Sequence, residues 1–340
     1  MASNTLKPAP ILRRESQHPM PPAPRGRWRR ICDQWHPYNA LAGLGVTPSR
    51  LGIRPPIFCL RHYGPKPLRV PGQYTRGPVI TDGPTISIVT PSFNQANYLG
   101  RTIESILSQD YAPLEYIVQD GGSTDRSREV LSAYGERLQW ISAPDGGQSD
   151  AINRGFARAQ GEVMAWLNSD DLLLPGTLAY VARYFRDNPG VDVVYGHRIL
   201  IDEHDREIGR WILPPHQDHS QRWVDTIPQE TMFWRRSLWE KVGGLDADFQ
   251  FAMDWDLILR FIEAGATFVR LPRFLGAFRV HATQKTLARA ADVGRPEIRS
   301  LRERTLGCDP PKMQIARQIS GYLARHMVLH TGYRLGLIRY

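Results

Sequence analysis

Apolar and polar residues follow two rhythms along this chain, one of period two or less and one near 3.6, and the two take turns from residue 85 onward. Residues 86–91 are a β-branched run closed by proline, which predicts a strand. Helical spacing follows through Tyr98, Ile103, Ile106 and Leu107. A second strand is expected over 116–120, a helix over about 126–134, and a third strand over 138–142. The next helix carries Ala151, Ile152, Phe156 and Ala159 on one face and ends at Gly161. After Glu162 the run 163–167 is apolar without alternation, which reads as a strand covered on both faces. Four strand–helix alternations joined by short Gly/Asp loops predict an α/β, Rossmann-type doubly wound, mostly parallel sheet. No GxGxxG follows the first strand, so the dinucleotide-binding fingerprint is missing.

Beyond this core the pattern predicts a helix over 175–188, a strand over 191–196 and a strand pair over 198–213 turning at 203–206. A strand-like stretch at 226–234 and a short helix at 237–242 come next. A helix within 246–262 opens on Met253-Asp254-Trp255-Asp256, and short strands are expected at 267–271 and 275–281. From about residue 297 the tail reads as helical. Residues 1–84 hold 15 of the 27 prolines and little periodicity, so they read as a partly extended or disordered arm, with 55–84 laid along the main domain. The expected division is an arm at 1–84, a catalytic body at 85–285 (donor half 85–198, acceptor half 199–285) and a basic helical tail at 286–340.

Charge sharpens this division. The net charge of +9 comes from the ends, with +10 over residues 1–84 and +5 over 300–340, while 85–299 carries −6. An acidic body argues against nucleic-acid binding. The cluster Arg25–Arg30 and the amphipathic tail fit contact with an anionic membrane surface; they fit equally a solvated arm and a tail packed on the body or on a partner. No apolar run approaches a membrane span, and the amino end lacks the apolar core of a secretory signal. Three scattered cysteines form no CxxC pair and fit a reducing cytoplasm, with the inner membrane face as a peripheral site.

Four polar clusters fall at expected carboxyl ends of strands: 90–94, 120–125, 145–150 and 168–171. Parallel sheets bind ligands at that edge. Asp170 and Asp171 are adjacent carboxylates that repel unless a cation or donors sit beside them, which suits Mg²⁺ or Mn²⁺ on a phosphorylated substrate. The plain alternative is a cap on the helix that Pro175 helps to start. Asp120 is placed to accept the imide N–H of a pyrimidine base, or to form a turn with Gly121 and Gly122. Asp125 reads as a helix N-cap.

The motifs Thr90-Pro91-Ser92-Phe93-Asn94, Gln119–Asp125, Ser149–Gly155, Leu167–Asp171, Val242–Asp246 and Ala252–Leu257 occur in an order and spacing that resembles family 2 glycosyltransferases over about 85–285. The resemblance implies a GT-A fold and a nucleoside-diphosphate sugar donor, UDP or dTDP favoured. It implies donor binding by Thr90, Pro91, Ser92, Asn94, Asp120, Gly122, Asp150, Asn153, Asn168, Ser169, Asp170 and Arg279. A divalent Mn or Mg would be held by Asp170, Asp171 and His281, although Asn168 stands at the first DxD position. Asp254 matches the family's general base, with Met253 where many relatives have Glu. Gln229, Glu230 and Trp234 are implied on the acceptor side, facing a glycan or lipid-linked acceptor. The expected reaction is inverting and metal-assisted. A metal-dependent nucleotidyltransferase, and a non-catalytic membrane-surface or assembly module retaining the fold, stay open beside it. The sugar transferase would release nucleoside diphosphate and the nucleotidyltransferase pyrophosphate.

Overall fold

The computed structural model describes residues 55–74, 82–109, 111–282, 284 and 290–340. The Arg25–Arg30 cluster and Lys285 lie outside them. Its centre is four parallel strands: β2 (Ile86–Ser92), β3 (Leu114–Asp120), β4 (Gln139–Ser142) and β5 (Val163–Trp166), after a short β1 (Lys66–Pro67). Alternate residues of these strands enter different cores. Ile88, Val118 and Ala165 join one, and Val89, Ile117 and Trp166 the other. Helices α1 (Ala96–Leu107) and α2 (Ser127–Ser132) cover the first face. The second is covered by α3 (Gln148–Phe156). A Cβ on Gly155 would meet Val89 Cγ1 at 2.5 Å, so only glycine lets α3 settle this close to β2. The unalternating apolar runs therefore have the expected cause, burial on both faces.

The remaining strands extend this sheet. After β6 (Leu172–Leu173) and α4 (Thr177–Asp187) come β7 (Val193–Ile201) and β8 (Arg206–Trp211), the expected hairpin. Short β9 (Phe233–Arg235) lies antiparallel between β5 and β7, and β10 (Phe268–Arg279) runs parallel to β7. The order is β1-β8-β7-β9-β5-β2-β3-β4, with β10 against β7 and β6. Helices α5 (Asp218–Trp223), α6 (Arg236–Val242) and α7 (Met253–Glu263) fall within the second half.

Three expectations change here: the strand expected at 191–196 and the first strand of the pair at 198–213 are one continuous strand, β7. The stretch 226–234 is mostly not a strand: Thr231 N–H donates to Pro228 O at 3.0 Å and Met232 N–H to Gln229 O at 3.0 Å, closing a tight turn before β9. The two short strands at 267–281 are one, β10, whose pairing slips between Arg270 and Gly276, around Pro272, which has no N–H to donate.

The tail forms α8 (Arg295–Leu306), α9 (Lys312–Gln318) and α10 (Ser320–Arg334), and its buried residues pack on the body: Tyr322 joins the second core and Leu301 joins Trp255 and Leu259. Among the described residues, no helix is long and apolar enough to cross a membrane. Segment 55–63 is tied down by histidines. His326 Nδ1 lies 2.6 Å from Ile212 O and its Nε2 accepts the Ile57 N–H at 3.1 Å, so the ring is held neutral. His62 accepts the Arg210 N–H at 3.3 Å, and His330 meets the His62 ring edge-on and the His326 ring at a tilt. Burial, with His330 and His62 nearby, lowers His326 to about 4, and burial beside His62 and Arg334 lowers His330 to about 4. Between that value and the free-histidine value near 6.5 the unfolded chain binds more protons, so stability rises with pH across this window. Thermal melts from pH 4 to 7 are expected to show Tm climbing to about pH 6.5 and then flattening, with a shallower climb in His326→Gln; an unchanged slope in that variant would rule out the histidine origin.

Candidate active site

The carboxyl ends of β2, β3 and β4 turn into loops that lock onto one another. Gly121 N–H donates to Ser92 O at 2.8 Å, and Ala143 N–H to Asp120 O at 3.0 Å. Asp120 is fully buried and accepts from Ser123 N–H (2.9 Å), Ser123 Oγ (2.5 Å) and Ser142 Oγ (2.6 Å). Its carboxylate fixes the 121–123 turn and has no open face toward a base, which corrects the expectation for it. Gly122 sits at φ +80°, where a side chain is strained. Asn94, at φ +54°, accepts from the N–H groups of Thr124 (2.9 Å) and Asp125 (3.3 Å) and so fastens the first loop to the second. Asp125 accepts from the Ser127 N–H at 2.9 Å and the Ala96 N–H at 3.0 Å, bonding the first N–H of α2 and of α1, but the residue at the N-cap position of α2 is Arg126 and not Asp125 as expected.

Thr90 is likewise core, its hydroxyl 3.1 Å from that of Tyr116, and Pro91 is buried beside it. Ser92 differs: its Oγ is buried at the strand's end without a hydrogen-bond partner. A buried orphan hydroxyl at a ligand-binding edge is a donor awaiting a ligand or water.

The acidic turn after β5 divides its carboxylates. Asp171 is buried, accepting the Arg279 N–H at 2.9 Å and the Asn168 amide at 3.4 Å. Burial first, then the charges of Asp170 and Glu230, push its carboxyl well above the ordinary range. Asp171 therefore faces inward and is not placed as a metal ligand, contrary to expectation. Asn168 is held by Gln148 at 2.8 Å, and the Ser169 carbonyl receives the Thr102 hydroxyl at 2.9 Å. Asp170 points the other way, with its Oδ2 2.9 Å from His281 Nε2. His281, on the loop after β10, lies under the Tyr98 ring at 4.7 Å, and its N–H donates to Gln284 Oε1 at 2.9 Å. Arg279 is fully buried: its guanidinium donates to the carbonyls of Asp170 (2.6 Å) and Asp202 (3.0 Å) and pairs with Asp205 at 2.5 Å. It organises the acidic turn instead of reaching a diphosphate.

On the other flank Glu230 is buried in a two-pronged pair with Arg198, at 2.7 and 2.5 Å, and that guanidinium is stacked between Trp211 and Phe278. Gln229 donates to Trp166 O at 2.8 Å. Neither presents an open polar group to an acceptor. Trp234 is core, ringed by Trp166, Trp239 and Phe156, because β9 is covered on both faces. Asn153 clasps the Leu245 backbone at 2.8 and 2.9 Å, and Asp150 accepts the Gly146 N–H at 2.7 Å and pairs with Arg154 at 2.8 Å. Both hold loops in place and are not aimed at a donor.

Asp254 is the second residue of α7 and half-buried, its Oδ1 accepting the Trp255 N–H at 2.9 Å. Its segment meets the acidic turn across the start of α3, where Gln148 reaches Asn168 and the adjacent Ser149 donates to Phe249 O at 2.6 Å and lies against Met253. Asp225, unremarked in the sequence, stands near Asp254; burial, then the Asp254 charge, pushes its carboxyl up. Asp256 is buried between Arg260 and Arg304 and ties α7 to α8. Arg198 was also missed, although a charge inside the apolar run of β7 is itself a signal.

Among the described residues no three or more His, Cys, Asp and Glu side chains gather as a metal cage. The Asp170–His281 pair offers a carboxylate oxygen and an imidazole nitrogen to one point, which fits a divalent ion whose other positions are filled by substrate phosphates and water.

The Glycosyl transferase family 2 profile matches residues 87–243. A Mycobacterium tuberculosis protein described as an uncharacterized glycosyltransferase is 34% identical over 188 residues, 53% of this chain and 70% of that one. The PGL/p-HBAD biosynthesis glycosyltransferase of Mycobacterium bovis is 31% identical over 182 residues, 52% of this chain and 69% of the other. In structure, S. aureus TarS 1–349 in complex with UDP-GlcNAc superposes with a TM-score of 0.52 at 18% identity, covering 74% of this chain and 75% of that one, which supports the GT-A fold. The strand-end loops, the acidic turn and these relatives agree, and the chain belongs to glycosyl transferase family 2: it is a glycosyltransferase.

Proposed function

We propose that this enzyme moves a sugar, with inversion, from a UDP-sugar to a hydroxyl of a glycan or lipid-linked acceptor. The observation that carries the reading is the meeting of Asp170 and His281, 111 residues apart, at 2.9 Å on the strand-end edge. UDP is favoured because the relative in structure, TarS, is described in complex with UDP-GlcNAc. A divalent ion held by Asp170 and His281 would supply Lewis-acid stabilisation of the departing diphosphate. Ser92 Oγ, with no partner of its own, donates to the nucleotide. Asp254 accepts the proton of the acceptor hydroxyl as that oxygen bonds to the anomeric carbon, and the electrons of the breaking C–O bond leave with UDP. Arg279 and Asn168 hold the turn so that Asp170 does not move when the diphosphate arrives.

The tail adds a membrane contact to this reading. Val328, Leu335 and Leu337 are exposed beside Arg325, Arg334 and Arg339, and no acidic residue follows Asp309. Such a stripe suits an anionic bilayer carrying a lipid-linked acceptor.

Three outcomes are expected. In calorimetry and thermal shift, UDP with Mn²⁺ stabilises the chain by about 2.7 kcal/mol at a hundredfold excess over Kd; His281→Ala loses the Mn²⁺-dependent part, and an equal shift without metal or with the variant refutes the pair's role. Asp254→Asn keeps UDP binding while transfer, read as UDP released, drops on the order of 10³-fold; near-normal turnover removes Asp254 from the role. Vesicles containing phosphatidylglycerol carry the chain in flotation whereas phosphatidylcholine vesicles do not, and the double change Leu335→Glu, Leu337→Glu abolishes it; no difference between the vesicles sinks the membrane contact.

A further inference from the structure

Helix α7 carries Asp254 but has no capping side chain before it: the preceding residue is Ala252, and within the first turn Asp254 Oδ1 accepts the Trp255 N–H at 2.9 Å. Buried helix starts require partners for those groups. The backbone that leads into the helix takes its partner from the tail. The N–H of Gln250 donates to Glu297 Oε1, and those of Phe251 and Ala252 to Oε2, each at 2.8 Å. Glu297 is the third residue of α8 and lies 45 positions from Ala252. Three backbone donors converging on one carboxylate make a charge-assisted clamp, stronger and more directional than neutral hydrogen bonds.

The rest of α8 tightens the clamp on the same helix. Arg304 reaches the buried Asp256 at 2.6 Å. Leu301 packs with Trp255 and Leu259, and Arg302 stands 5.9 Å from the Trp255 ring. At Gly294, just before α8, a Cβ would meet Phe251 Cδ1 at 2.8 Å, so the two segments are in direct contact. The path of residues 250–252 sets where α7 starts, and Asp254 is only its second residue. A carboxylate so close to the helix start inherits any displacement of that start. A misplacement of about 1 Å at a reacting group lowers turnover on the order of 10²-fold.

We infer that Glu297 is a positioning residue for Asp254: the α8 carboxylate that clamps the amino end of α7 holds the reacting carboxylate at the cleft. This rests on the proposed role of Asp254 as the base. Glu297 touches neither donor nor acceptor. Its loss is therefore read in kcat and not in donor affinity.

The test uses the full chain with UDP-glucose and UDP-N-acetylglucosamine, measuring UDP release, donor affinity by calorimetry, and amide hydrogen exchange. In Glu297→Gln, kcat is expected to fall about 10–100-fold with KM and donor Kd within about twofold, and the amides of 250–255 to exchange about tenfold faster. Glu297→Asp, which keeps the charge, recovers part of both losses and serves where the Gln variant does not fold. Unchanged exchange, or a loss of donor affinity matching the loss in kcat, overturns the positioning role. Asp254→Asn is run alongside: full turnover there defeats the base reading, while the exchange data still decide the clamp.

Discussion

The site depends on how an acidic turn is held inside the fold. Asp171 is buried, and a carboxylate in that position is tolerated only where donors meet it. The donors come from Arg279, whose N–H reaches Asp171 and whose guanidinium ties the Asp170 carbonyl to the 202–205 turn. One residue of β10 thereby locks the end of β5 to the β7–β8 hairpin. The Arg198–Glu230 pair does the same one layer over, and removing one partner of such a buried pair leaves the other uncompensated, at about 3–5 kcal/mol. With this frame rigid, Asp170 is left facing His281.

Burial sorts the carboxylates into two kinds. Asp120, Asp171, Glu230 and Asp256 are buried, and their hydrogen bonds go to loops and neighbouring arginines. Asp170, Asp225 and Asp254 stay partly open. Only the second kind can meet a substrate. Asp225 stands near Asp254, and burial followed by the Asp254 charge pushes its carboxyl up.

The tail belongs to this machinery. Helices α8, α9 and α10 pack on the body through Leu301, Ile315 and Tyr322, and α8 supplies Glu297 and Arg304 to the helix that bears Asp254. The exposed arginines give the tail its basic character, but its buried face packs against the second half of the body. The sequence shows the charge and conceals the buttress, since a single glutamate in a basic stretch carries no periodic signal.

The β-branched runs, their lack of alternation and the Gly/Asp stops were enough to read the strands, the helices and the edge at which their loops converge, because period and turn chemistry are local properties of the chain. The family motifs added the residue types at that edge. What each polar residue does there was not local. Asp171 and Asp170 are neighbours, yet one is turned inward by an N–H 108 positions away and the other meets a histidine 111 positions away. Trp234 is core because β9 is sandwiched between β5 and β7, and Arg279 is sealed by a hairpin that no nearby residue announces. The sequence by itself determined the α/β sheet and the edge that carries the chemistry. Only the tertiary structure decided which carboxylates stay partly exposed, because burial and hydrogen-bond partnership are fixed by segments that meet only after the chain has folded.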